Sequence, residues 1–208
     1  MKQILLLLCA FSSLVACGQQ FQPAKLVYTS GKTSTGLVKV PQSGGDKYVV
    51  LKADESAPKE KISSEEISKI VFTPKDEEPV EYAWEYTEIN GKQSKSPMWL
   101  QVMVKGPATL YALSSTMMTS RGGTFGHQVS DVYFYAKRPG EKAATFVGHY
   151  FVQGAIGLNT AQLFKKHAGA YFADYADLAA KIENKDYKVT DVVAVVDDYN
   201  RWKKGKKK

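Results

Sequence analysis

Cysteine is nearly absent: the chain of 208 residues has two, Cys9 and Cys17, and none after residue 17. A disulfide within the body, a thiolate metal site and a cysteine nucleophile are thereby excluded, whatever the redox compartment. Histidine is almost as scarce, with three residues in all. His127, His149 and His167 stand too far apart for a zinc-ligand spacing, so no metal is expected. No apolar run reaches the roughly 18 to 20 residues that cross a bilayer. No G-x-S-x-G elbow is present. Gly31-Lys32-Thr33 imitates the end of a phosphate-binding loop, but the glycine needed five positions earlier is Leu26, so the backbone amides that cradle a phosphate are not provided. No nucleotide or other cofactor is expected. The body also lacks a charge of one sign. The formal charge is +7, yet Arg201, Lys203, Lys204, Lys206, Lys207 and Lys208 lie in the last eight residues. Without them and Lys2, 21 basic residues face 21 acidic ones. Attraction to anions therefore belongs to the tail.

What the chain does have is an export leader. Lys2 supplies a positive charge, Ile4 to Ala10 is a short apolar run, and polar Ser12-Ser13 follow. Leu14-Val15-Ala16-Cys17 resembles the lipobox of bacterial lipoproteins, in which the leader is cut before the cysteine and that residue is acylated. The resemblance implies residues 1–16 as a signal peptide, Cys17 as the lipidation site and residues 17–23 as an anchor linker. Ordinary cleavage after Gly18, with Ala16 three positions back, is the alternative. Several acyl chains, each methylene adding about 0.8 kcal/mol, would hold the body on the periplasmic or outer face of a membrane.

From residue 24 to 157 the pattern is that of short strands broken by turns. Lys25 to Tyr28, Gly36 to Val40 and Lys47 to Leu51 read as an antiparallel meander. Ser63, with Glu66 three residues later, predicts a short helical turn through a capping box. Ile67 to Phe72 reads as extended. The acidic stretch from Pro74 to Pro79 is a candidate seam between subdomains. After it, Val80, Tyr82, Trp84 and Tyr86 alternate with Glu81, Ala83, Glu85 and Thr87, the period of a strand. Asn90-Gly91 predicts a tight hairpin turn returning the chain into Trp99 to Val104. Further strands are expected at Thr109 to Ser115, Val132 to Ala136 and Thr145 to Val152. From residue 158 to 202 the period turns helical, through Leu163, Phe164 and His167, then Tyr171 to Ile182, then Val192 to Tyr199. Thr190 is the expected cap of the last helix, and residues 203–208 form a basic tail. Strands first and helices last give an α+β fold: an antiparallel meander or sandwich-like region followed by two or three helices.

The stretches Gly36 to Val40, Tyr48 to Lys52 and Ile67 to Phe72, with the ending Leu163-Phe164 … Tyr171-Phe172 … Leu178 to Ile182 … Tyr187 … Tyr199-Asn200, resemble a large group of exported envelope proteins from Bacteroidetes-type bacteria. Tyr175 stands where many of that group have a cysteine. The resemblance implies an exported structural or binding role, on the outer membrane or in the periplasm, and supplies no catalytic residues.

Three places carry candidate chemistry. The glycine-rich loop Ser120 to Gly126 can bring backbone amides to an anion with Arg121 beside it, and His127 and Asp131 follow; otherwise the loop only joins two strands. With His149, these residues are the material for a secreted hydrolase, though without a geometry. Tyr82, Trp84, Tyr86 and Trp99 form a glycan-stacking face if they point to solvent and a core if they point inward, and the alternation with Glu81 and Glu85 favours the core. Lys203, Lys204, Lys206, Lys207 and Lys208 suit an anionic lipid or polysaccharide, with Trp202 at the interface. An exported protein rarely meets nucleic acid, so none is expected as a partner. The leading expectation is a non-enzymatic, membrane-anchored binding or assembly component.

Overall fold

The computed structural model describes residues 21–41, 44–119, 127–153 and 160–206; side chains are not described at 116–119, 127–130 and 152–153. Twelve strands and three α-helices lie among these residues, an α+β fold. The signal peptide and Cys17, the loop with Arg121, and Lys207 and Lys208 fall outside the described residues. The chain divides into two compact units, each discontinuous: residues 1–85 with 96–101, and residues 86–95 with 102–208.

The first unit is all β. Its strands are β1 (Phe21–Tyr28), β2 (Thr33–Lys39), β3 (Tyr48–Lys52), β4 (Glu60–Ser63), β5 (Ile67–Phe72), β6 (Val80–Glu85) and the start of β9 (Met98–Val104). They are ordered β4-β3-β2-β1-β5-β6-β9, every pair antiparallel. Alternation sends Ala24, Leu26, Val38, Leu51, Ile70 and Phe72 to one face, where they form the core with Trp99. Between β4 and β5, Ser64–Glu66 makes a single 3-10 turn that Ser63 caps by accepting from the Glu65 amide. The acidic stretch 74–79 joins β5 to β6, which pair with each other inside this unit. The division of the chain falls instead at Glu85/Tyr86.

The second unit holds β7 (Thr87–Ile89), β8 (Lys92–Gln93), the end of β9, β10 (Thr109–Thr119), β11 (His127–Lys137) and β12 (Ala144–Gln153). Asn90 and Gly91 take φ of 53° and 74°, which turns β7 into β8. β10, β11 and β12 pair antiparallel, and β7 runs parallel to β12 at Ala144 and Thr145. Helices α1 (Thr160–Tyr171), α2 (Ala176–Glu183) and α3 (Val192–Gly205) follow. Phe164, Ala168, Leu178, Ile182, Val195 and Val196 bury one stripe of each, with Phe172 of the α1–α2 turn, in one core with Leu110, Ala136 and Val147 of the strands. Thr190 does not cap α3. It lies in a 3-10 turn, Val189–Asp191, where the Asp191 carboxylate accepts from the Lys188 amide at 2.9 Å. Nor does the tail begin at residue 203, because α3 continues to Gly205 and includes Lys203 and Lys204.

Candidate functional site

The β11–β12 register sets Asp131 opposite Phe151 and Tyr133 opposite His149. Residues two apart on a strand share a face, so these four side chains gather on one side of the pair. Phe134 and Tyr150, at the intervening positions, pack toward the helices. The Tyr133 and His149 rings stack at 4.5 Å and 14°, and Phe151 meets the same imidazole edge-on at 4.3 Å. An imidazole held between two aromatic rings has little freedom to turn.

His149 Nε2 points at Asp131 Oδ1 across 3.7 Å, with both side chains about nine-tenths buried. That separation exceeds a hydrogen bond, and neither atom has a hydrogen-bond partner among the described residues. Burial first, then the neighbouring Asp131 carboxylate, raises the Tyr133 phenol above the ordinary value. Of His127, Asp131 and His149, the three residues the sequence offered for a hydrolase, the structure brings Asp131 and His149 side by side. His127 opens β11, and its side chain is outside the description. No group of three metal-ligating side chains occurs among the described residues. The arrangement sets an imidazole beside a carboxylate without a hydrogen bond between them.

The aromatic set of the first unit turns inward. Trp84 and Trp99 face each other across β6 and β9, their rings 5.1 Å apart. Trp99 is 2% exposed, and its indole N–H donates to Ser64 Oγ at 3.1 Å. Tyr82 meets Phe72 edge-on at 5.8 Å, and burial pushes its phenol up to about 12. A ring buried like Trp99 offers no face to a sugar. Tyr86, the first residue of the second unit, is exposed.

His167 packs edge-on against Phe146 at 5.0 Å; burial, then the charge of Lys166, lowers its pKa. At the end of α3, Lys206 and Lys203 sit over the Trp202 ring, which stacks on Tyr175 at 4.6 Å. Lys204 and Lys206 are exposed.

One polar centre was not legible beforehand. Arg138, at the end of β11, donates to Tyr199 Oη at 2.8 Å, to the Tyr171 carbonyl at 2.6 Å and to Asp174 at 2.9 Å. Its guanidinium lies over the Tyr171 ring, 4.3 Å from the centroid. Asp174 also receives Tyr199 Oη and Lys203 Nζ, both at 2.9 Å. Tyr171 donates to Glu141 at 2.8 Å; burial, then that carboxylate, drive its phenol far above the ordinary range. Every charge here has a partner, so this is a clamp on the helices rather than a waiting site. Comparisons with protein-family models, with curated proteins and with solved structures returned no significant match.

Proposed function

We propose that this is an exported envelope protein of Bacteroidetes type, anchored through acylated Cys17 and acting by binding or by taking a place in an assembly. One observation carries the reading: Leu14-Val15-Ala16-Cys17 directly follows a charged and apolar leader. The expected linker is shorter than 17–23, because Phe21, Gln22 and Pro23 already belong to β1 and pair with Lys39, Val38 and Leu37 of β2. The basic end of the chain suits a weak second contact with anionic lipid or polysaccharide. Mass spectrometry of the mature N-terminus from membrane and soluble fractions tests the proposal. The expected product is a membrane-associated chain beginning at acylated Cys17, and a soluble chain beginning at Gln19 would refute it.

A second reading, a secreted hydrolase, draws on the meeting of Asp131 and His149. It requires a nucleophile beside the imidazole. Labelling of the mature chain by a serine-directed fluorophosphonate, abolished in His149→Gln, is its expected signature; no labelling, or equal labelling of both proteins, removes it.

A further inference from the structure

We infer that the open face of the first unit's sheet, around Phe21, is the surface laid against an anionic lipid bilayer, an inference that rests on the lipid-anchor reading. The tether is short. Four residue steps separate Cys17 from Phe21, and an extended chain covers about 14 Å in that distance. An acyl group on Cys17 would therefore hold the start of β1 at the headgroups.

The face that β1 would present there is built for such a surface. Register places Phe21 opposite Lys39, Pro23 opposite Leu37 and Lys25 opposite Thr35, with Lys52 beyond Leu37 on β3. The intervening residues Ala24, Leu26, Val38 and Leu51 go into the core, so this set faces outward. The outer face of an antiparallel sheet is ordinarily polar; here apolar side chains alternate with lysines beside an open groove of about 540 Å³, whose lining includes Pro23, Lys25, Thr35, Leu37, Asp54 and Glu55. The Phe21 ring carries Lys52 Nζ at 5.6 Å and Lys59 Nζ at 5.8 Å from its centroid. Lysine stems beside an aromatic ring, with ammonium groups at their ends, match the boundary between acyl chains and phosphates.

Asp54 and Glu55 border the groove. Asp54 is turned into its own loop, accepting from Ser56 N at 2.8 Å, Ser56 Oγ at 2.6 Å and Ala57 N at 2.9 Å. Glu55 offers its carbonyl to Lys52. Lys25, Lys39, Lys52 and Lys59 outnumber these two acids. A weak surface contact suffices, because the anchor raises the effective concentration of this face at the membrane.

The test uses the mature chain produced without its leader and carrying Cys17→Ser, so that no acyl group contributes. It should float with vesicles of phosphatidylcholine mixed with phosphatidylglycerol and not with phosphatidylcholine alone, and added salt should release it. At roughly a fivefold gain per lysine near an anionic surface, Lys25→Gln/Lys39→Gln/Lys59→Gln should lower partitioning about a hundredfold. Lys204→Gln/Lys206→Gln should lower it by clearly less than the triple variant does. A second measurement does not depend on the stability of the triple variant: Phe21→Cys in the same background, labelled with a polarity-sensitive dye, should shift to the blue on anionic vesicles. Absence of flotation, equal flotation on neutral vesicles, loss only in the α3 variant, or stronger retention by an anionic polysaccharide would overturn the inference. Since the tested chain is unacylated, these outcomes are separate from an N-terminus found at Gln19, which refutes only the anchor.

Discussion

Asn200 shows how much a single side chain can decide. It is 4% exposed on α3 and reaches the backbone of Ala108, accepting from its N–H at 2.7 Å and donating to its carbonyl at 2.9 Å. Ninety-two positions separate the two residues, so the asparagine does for Ala108 what a neighbouring strand does elsewhere. Removing it leaves a buried donor and a buried acceptor unpaired, and Asn200→Ala should cost about 3 kcal/mol in denaturant unfolding. Gly106 belongs to the same contact. A β-carbon there would stand 2.4 Å from Asn200 Nδ2 and 2.6 Å from Cγ. Because the amide is pinned at both ends it cannot step aside, and Gly106→Ala should destabilise by a similar amount. In an Asn200→Ala background the same glycine substitution should cost much less, and this non-additivity is what a double-mutant cycle would measure. Nothing in the sequence announced this pair, because a hydrogen bond between distant residues leaves no local pattern. Asp131 and His149 were legible only as residue types. Their meeting depends on a register that shifts twice along β11 and β12, which no spacing rule supplies.

At the level of elements, legibility follows periodicity. Val80 to Glu85 alternates clearly and is a strand; Leu163 to Ala168 and Val192 to Tyr199 carry a helical stripe and are helices. Glu60–Ser63 escaped notice because its only buried hydrophobic residue is Ile62, and one apolar residue makes no period. The end of α3 was misplaced for another reason. A lysine run reads as a solvated tail, yet cations at a helix C-terminus favour the helix through its dipole, and Asp174 gives Lys203 a partner. Asp174 also ties α3 to Arg138 and so makes the clamp sensitive to acid. Burial alone would raise its pKa, but hydrogen bonds from Lys203 and Tyr199 and the charges of Arg138 and Lys203 hold it below the ordinary 3.8. A carboxyl with a depressed folded pKa contributes stability that is fully present above the unfolded value and is lost as pH falls through the folded one. Thermal unfolding should therefore show Asp174→Asn melting below the parent protein at neutral pH. The gap should close well below pH 3.8, where both side chains are neutral. The carboxylate is more than a third exposed, so solvent screening keeps the neutral-pH gap modest.

Taken whole, the molecule joins a sheet with an open face, Phe21 at one corner, to a helix-backed unit whose polar centre is closed and fully paired. The α+β order was readable because strands and helices occupy successive stretches of chain. The division into units was not, since the acidic stretch 74–79 looks like a seam, whereas the actual crossings at Glu85/Tyr86, Lys95/Ser96 and Gln101/Val102 fall at or beside strands. Under the proposed export, in which a chain crosses a membrane unfolded and N-terminus first, these crossings would set an order of assembly. The first unit lacks β9 until Gln101 has crossed, although its earlier strands arrive sooner. Its β6 edge must therefore wait for a partner while the intervening β7–β8 hairpin is delivered. During that interval Trp84 would lack the ring that faces it in the finished fold, and the arrival of Trp99 would time the closing of the first unit.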